Sequence, residues 1–263
     1  MLSNDFPRVI AALHMLPSSV SAHLDAQPLN RIIEHALLHA QIAYDGGVRA
    51  FYIQDVHDTP VAPTILPQTV ANVTAVGQEL TRAFPDARFG ICLMQHGARE
   101  PLQIADQIGG AFVRLKVYQG VMVKAEGLLQ GCAWEAIQTR HSLGAQHIAI
   151  FADIYDRVGV PLAPLPLGEA CRQAVTFGKA DALVLTGGNS VQTVEMLDEA
   201  IAAKIGVPLT VGGSVSVTTL KEFASRARHF VVHAAFARKG LPSRNGLPID
   251  WHVDAVKELM QAI

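Results

Sequence analysis

The chain has 263 residues, half of them hydrophobic and 17% charged, with 21 Lys and Arg against 23 Asp and Glu for a formal net charge of −2. An apolar, nearly neutral chain of this length can bury a sizeable core, which excludes intrinsic disorder. It has no basic excess with which to neutralise phosphates, which argues against a general nucleic-acid binder.

Cys92, Cys132 and Cys171 form an odd, widely spaced set with no CxxC pair. Neither a disulfide framework nor a cysteine zinc site follows from that spacing, and reduced, buried thiols are expected. Segment 1–7 places Asp5 before Arg8 and lacks the basic start and apolar run of a signal peptide. The longest apolar stretches, such as Val9–Leu13 and Ala180–Leu185, fall far short of the roughly 20 residues that a spanning helix needs. A soluble, cytoplasmic protein with no membrane insertion is expected. The low charge also fits a surface partly covered by other copies, so a homo-oligomer is expected.

In chain order, short apolar runs alternate with amphipathic stretches. The run Val9–Leu13 is followed by helical spacing over Leu29–Asp45, where Ile32, Ile33, Ala36, Leu37, Ala40 and Ala43 share a face. Ala50–Gln54 precedes a helix over Gln68–Ala83, and Phe89–Met94 precedes one over Pro101–Gln107. Phe112–Val117 precedes Ala133–Leu143, and Ile148–Phe151 precedes Leu167–Phe177. Ala182–Thr186, Leu209–Val211 and Phe230–His233 precede helices over Val191–Ala203, Val217–Ser225 and Trp251–Met260. The apolar runs are near-continuous, as in parallel strands covered on both faces. Eight such units of about 33 residues each match a single-domain (β/α)8 TIM barrel over 1–263. A doubly wound open sheet is the competing architecture; regular units filling the chain favour closure, which leaves no edge strand. The fourth connection, Tyr118–Gly131, has three glycines and no clear period. It reads as a long loop at the catalytic face, either a lid or a plain surface excursion.

In a barrel, polar residues at the carboxyl ends of strands surround the mouth. These are His14, Gln54-Asp-Val-His-Asp58, Met94-Gln-His96, Arg114 with Lys116, and Asp153 followed by Tyr155, Asp156 and Arg157. The later strands supply Thr186-Gly-Gly-Asn-Ser190, Gly212-Gly-Ser214 and His233-Ala-Ala-Phe-Ala-Arg-Lys239. Arg114 and Lys116 lie two apart and point to one side of a strand, so they are expected to face Asp55 and Asp153 or an anionic ligand. Such a network is either a structural ion pair or a site in which Asp55 or Asp153 moves a proton, His14 assists and Lys116 acts as electrophile, anion holder or amine nucleophile. The backbone at Thr186-Gly187-Gly188 and at Gly212-Gly213-Ser214 can cradle an anion or simply turn tightly. The eighth strand ends without a glycine there. Asp55, His57, Asp58, Asp153, Asp156, His14 and His96 offer donors for a divalent metal, but their spacing matches no metal motif, and none is assigned. No motif for an organic cofactor is present, nor any serine-hydrolase, P-loop, Rossmann or zinc-protease signature.

Several segments carry a family resemblance. They are Ala11-Ala-Leu-His-Met-Leu-Pro17, Asp45-Gly-Gly47, Asp58-Thr-Pro60, Thr69-Val-Ala-Asn-Val-Thr74 and Arg114-Leu-Lys-Val-Tyr-Gln-Gly120. Met122-Val123, Glu126–Gly131, Ile150-Phe-Ala-Asp153, Ala180-Asp-Ala-Leu-Val-Leu-Thr-Gly187 and Val207–Gly213 continue it. The sequence resembles the BtpA family, which includes the SgcQ proteins of bacterial carbohydrate operons. That resemblance implies a TIM barrel related to phosphate-binding barrels. Some members carry the name of photosystem I assembly or stability factors, and others are labelled nucleoside- or sugar-metabolising enzymes. The chain departs from the family pattern after Asp153, at Gln54-Asp55 and at the end of the eighth strand, departures that bear on the ligand more than on the fold. The reading is an enzyme acting on a small anionic metabolite, a phosphorylated sugar or nucleoside-like compound, held by Arg114, Thr186, Gly187, Gly188, Gly212, Gly213 and Ser214. The alternative is a non-catalytic assembly or stability factor, which would need an exposed apolar patch away from the mouth.

Overall fold

The apolar runs close into a ring. In this computed structural model, which describes residues 2, 5–238, 247, 248 and 250–263, the first half runs β1 (Val9–His14), α1 (Leu29–Asp45), β2 (Ala50–Gln54), α2 (Pro67–Ala83), β3 (Arg88–Ile91), α3 (Arg99–Gln107) and β4 (Phe112–Leu115). Then come β5 (Val121–Lys124), β6 (Gly127–Gln130), α4 (Ala133–Ser142), β7 (Ala149–Asp153), β8 (Val160–Pro161) and α5 (Leu167–Thr176). The chain finishes with β9 (Ala182–Leu185), α6 (Ser190–Ala202), β10 (Leu209–Val211), α7 (Val217–Phe223), β11 (His229–Val232) and α8 (Val253–Gln261).

Eight strands, β1, β2, β3, β4, β7, β9, β10 and β11, form a closed parallel barrel. The closing pair sets Val9 beside Phe230 and Ala11 beside Val232. This is the expected (β/α)8 architecture, and the open sheet is excluded. Strand alternation divides the apolar residues. One face of each strand packs under the helices, as Phe51, Ile53, Val113, Leu115, Leu183 and Leu185 do. The other fills the interior, with Ile10, Ala12, Tyr52, Cys92, Phe112, Phe151, Val184 and Val231. Phe6, from the segment before β1, plugs the lower end against Phe112 and His229, with ring centroids 5.5 and 5.4 Å away.

Two expected strands end early. β3 was expected to reach Met94 but stops at Ile91, because the Met94 N–H turns to the Asp55 side chain at 2.6 Å and leaves the ladder. β4 was expected to reach Val117 and stops at Leu115. The eighth strand gives way to a 3-10 turn over Ala234–Phe236, and Lys239 lies outside the described residues. All three thiols are free and buried. Burial pushes Cys132 and Cys171 up to about 12, so neither supplies a thiolate near neutral pH.

The expected long loop is an ordered cap. β5 and β6 form an antiparallel hairpin, and β8, from the β7–α5 connection, pairs on the other edge of β5. Four-residue strands give too little alternation to be read in sequence, and β8 joins from about 35 residues downstream.

Gly90 makes the interior packing testable. It sits beside Phe112 in the ladder, and a Cβ there would lie 2.5–2.6 Å from the Phe112 ring. Gly90→Ala is expected to cost about 1–3 kcal/mol by overpacking. The check is a lower urea midpoint at unchanged m-value, with part of the loss restored by adding Phe112→Leu. Unchanged stability of Gly90→Ala would mean that Phe112 does not fill the barrel at this level.

Candidate active site

Even-numbered residues of β4 face the barrel interior, so Arg114 enters the mouth above Phe112 and Lys116 follows one level higher. The β4–β7 register sets Arg114 beside Phe151, which places Asp153 one inward-facing step above. The two side chains meet in a bidentate pair: Arg114 Nε and Nη2 donate to Asp153 Oδ1 and Oδ2, both at 2.8 Å. Arg114 Nη1 also donates to Tyr52 Oη at 3.3 Å and to the Gly212 carbonyl at 3.2 Å. Gly212 is required here, because a Cβ would fall 2.7 Å from Arg114 Nη2 and 2.4 Å from Thr186 Oγ1. Burial pushes the Asp153 carboxyl above its ordinary range, and the Arg114 charge opposes that shift. Facing Asp153, the guanidinium stays charged despite its own burial. Both carboxylate oxygens of Asp153 are therefore committed to Arg114.

Above this pair lies a cavity of about 350 Å3, lined by His14, Tyr52, Gln54, Met94, Lys116, Arg157, Thr186, Gly212, Gly213, Ser214, His233 and neighbours. The structure brings most of the expected residues together here. Lys116 contacts Met94 Sδ at 2.6 Å and makes no ion pair among the described residues. A thioether is a weak acceptor, and the ammonium acts only at longer range on Asp55, Asp153 and Asp156, whose carboxyls it pulls down. Thr186 Oγ1 is buried with no hydrogen-bond partner. Arg157 reaches over the Gly213 turn to donate to Ser214 Oγ at 3.1 Å. Ser214 itself is left-handed, with φ +60.

Three expected residues differ in their placement. Asp55 was expected at the mouth, but Gln54 lines the cavity while Asp55, just past the end of β2, is buried and spent on the backbone after β3. Its Oδ1 accepts from the Met94 N–H, its Oδ2 is buried without a partner, and burial pushes its carboxyl up to about 6. Gly187 and Gly188 were expected to cradle an anion. Their N–H groups instead donate to Thr193 Oγ1 at 3.0 Å and Gln192 Oε1 at 2.7 Å. The Gly212 N–H stays in the ladder, bonded to the Leu185 carbonyl. The Gly213 and Ser214 N–H groups have no intramolecular acceptor among the described residues.

His14 stacks on His233 with ring centroids 3.6 Å apart, and burial lowers it to about 3, leaving a neutral imidazole. His233 Nδ1 donates to the Ala12 carbonyl at 2.9 Å, which leaves Nε2 as a bare acceptor in the neutral ring. Behind the stacked pair lies a second cavity of about 180 Å3, walled by His35, His39, His57, Asp250 and Trp251. Its histidines on α1 are legible in the sequence as a helix face, but their meeting with His233 is not. Tyr52 is the site residue that sequence reasoning passed over, while Arg157 and His233 were placed at the mouth but given no role. The signal available was their position at, or one inward step below, a strand's carboxyl end. Among the described residues no group of three or more His, Cys, Asp or Glu side chains is arranged to hold a metal ion. No helix is long and apolar enough to cross a membrane among the described residues.

Residues 7–262 match the model of the BtpA family. The chain belongs to the BtpA family. Among BtpA relatives, the photosystem I biogenesis protein BtpA of Synechocystis sp. is 28% identical over 235 residues, covering 88% of this chain and 81% of that protein. An uncharacterized mitochondrial protein of Caenorhabditis elegans is 27% identical over 248 residues, covering 90% and 87%. Similar solved structures include tryptophan synthase from M. tuberculosis, at TM-score 0.60 and 12% identity over 98% of this chain and 94% of that one. Another is 7,8-dihydropteroate synthase from Vibrio fischeri, at TM-score 0.59 and 15% identity over 99% and 93%. At these identities the likeness is one of fold, and it places this BtpA-family chain among TIM barrels.

The buried pair predicts the stability of variants. Asp153→Asn leaves the Arg114 charge buried and unpaired, and should cost about 3–5 kcal/mol in urea unfolding. Replacing both, with Arg114→Met and Asp153→Leu, should recover most of that loss; a double variant no better than the single would show that the pair is not a closed unit. A second prediction concerns pH. His14, His35 and His229 lie at about 3, 4 and 4 when folded, against 6.5 when free. The unfolded chain therefore binds more protons in this window, and stability rises as pH goes from about 4 to about 6.5. Asp55 acts oppositely. With its folded value near 6, its contribution falls as pH rises from about 4 to about 6. Asp55→Asn should steepen the rise measured by urea unfolding across that range, and an unchanged slope would refute the buried, raised carboxyl.

Proposed function

We propose that the mouth cavity binds and transforms a small anionic metabolite of the phosphorylated sugar or nucleoside type, and that the chain is an enzyme of carbohydrate metabolism. One electrostatic observation carries this reading. Arg114 is neutralised by Asp153, and Asp156 at the rim is neutralised by Lys124 at 2.9 Å. Lys116 and Arg157 remain in the wall with no carboxylate within 4.0 Å among the described residues. Two cations in the cavity wall without a close carboxylate partner favour an anion and attract it at long range.

In this proposal Lys116 and Arg157 hold the anionic group, with the Gly213 and Ser214 N–H groups and the Thr186 hydroxyl as further donors. Lys116 also stabilises negative charge that develops during reaction. Asp153 acts through Arg114, holding it in place, because neither of its oxygens is free to take a proton. Proton transfer then falls to His14 and His233, whose neutral rings line the cavity. The geometry leaves Asp55 a part in shaping the wall. The second reading, a non-catalytic assembly factor, draws support from the name of the Synechocystis relative and from an apolar face on the cap.

Thermal shift with sugar phosphates, nucleotides and their unphosphorylated counterparts tests the proposal. A phosphorylated ligand at about 100 times its Kd should raise Tm by about 5–10 °C. Lys116→Met and Arg157→Met should each abolish that rise. A flat response across the whole panel would favour the second reading.

A further inference from the structure

Four benzene rings pack in the interior cluster, those of Phe6, Tyr52, Phe112 and Phe151, and only Tyr52 carries a polar group on its ring. Its neighbours on both adjoining strands are small: Tyr52 pairs with Ala12 on β1 and with Gly90 on β3. The ring reaches the tip of Arg114, one inward step higher on β4, and lines the mouth cavity. At the hydroxyl, half of the bonding is accounted for. Tyr52 Oη accepts from Arg114 Nη1 at 3.3 Å, but its own O–H meets no acceptor among the described residues. The oxygens around the guanidinium are engaged, since both Asp153 oxygens and the Gly212 carbonyl accept from Arg114. Tyr52 is 3% exposed, and a hydroxyl proton so deeply placed is costly if it stays unpaired. Burial holds the phenol well above its ordinary range, so the proton is present at neutral pH. A phenylalanine would fill the same space without that cost.

We propose that the Tyr52 O–H is the donor for a neutral carbonyl oxygen of the ligand, at the floor of the mouth cavity. The inference rests on the anion site read above at Lys116 and Arg157, and it narrows the ligand to a carbonyl compound with an anionic group elsewhere in the molecule. Charge selects a carbonyl over a carboxylate. Arg114 and Asp153 cancel each other at the floor, so a negative charge there would be buried near the Asp153 carboxylate, with Lys116 and Arg157 already engaged by the anionic group. Valency selects a carbonyl over a hydroxyl. A C=O oxygen takes the Tyr52 proton and asks for no acceptor in return, whereas a ligand hydroxyl brings a proton of its own to a place where the nearby oxygens already bond to Arg114. Arg114 also strengthens the donor, because a hydroxyl that accepts from a guanidinium is polarised and donates more strongly. Arg114, fixed by Asp153, is thus a positioning residue for Tyr52.

Isothermal titration of the full chain with matched probes is the test. The pairs are dihydroxyacetone phosphate against glycerol 3-phosphate and ribulose 5-phosphate against ribitol 5-phosphate, with inorganic phosphate alongside. Within each pair the phosphate is kept and a keto group is exchanged for a hydroxyl. The ketone of at least one pair should bind about tenfold more tightly than its alcohol. Tyr52→Phe should shrink that ratio to about twofold or less and leave the Kd of inorganic phosphate within about twofold of the wild type. A Tyr52 that serves only to support Arg114 would lower Tm on substitution and leave the ratio unchanged. Infrared spectra of the ketone, isotope-labelled at the carbonyl and bound to the wild type, give an answer even if the variant fails to fold: the C=O stretch should move to lower wavenumber. An unmoved stretch, an unchanged ratio in Tyr52→Phe, or ketone and alcohol binding alike while inorganic phosphate binds, overturns the carbonyl site and leaves the anion site standing. Binding of none of the probes removes the anion site, and the carbonyl site with it.

Discussion

A buried arginine in the throat of the barrel governs the mouth. Once β4 closes with Phe112 facing inward, alternation forces Arg114 into the interior, where an isolated charge is untenable. Asp153, one step up on β7, supplies the opposite charge, and Tyr52 and the Gly212 carbonyl take a remaining N–H. Gly212 gives up its side chain so that the guanidinium fits. Each of these residues comes from a different strand, so the pair locks β2, β4, β7 and β10 around one point. It also neutralises two charges at the floor of the cavity above them.

The character of the cavity follows from that cancellation. A count of basic and acidic residues around the mouth would suggest balance. Pairing changes the balance by position: the charges that find partners are the deep ones and those that clamp the cap, and the charges left over face the opening. Neutral histidines complete the wall. Their neutrality is itself a product of burial, which disfavours the imidazolium, and in His14 also of the neighbouring His233, His57 and Lys116.

The cap links the rim of the site to the outside of the molecule. Its inner face packs on the barrel, while Lys124 reaches across to Asp156 in the next connection. Two connections that would otherwise move separately are joined by β5–β8 pairing and by that ion pair. The outward face carries exposed Val123, Leu128 and Val160 in register with one another.

The sequence by itself determined the barrel. Eight apolar runs at steady spacing admit few other arrangements, because strands covered on both faces need helices between them and a closed ring leaves no edge. It also determined that Arg114 and Lys116 share a side of their strand, since the period of two is local. The tertiary structure alone decided which carboxylate meets Arg114, because that depends on the stagger between strands whose paired residues lie 39 positions apart. It decided that Asp55 is spent on the Met94 N–H, because the pairing of β2 with β3 brings that backbone group beside it. It decided that the glycines at 187 and 188 spend their donors on Thr193 and Gln192, a contact set by how α6 is seated. The cap was hidden for the same reason: short strands gain their meaning only from partners brought near by the closure of the barrel.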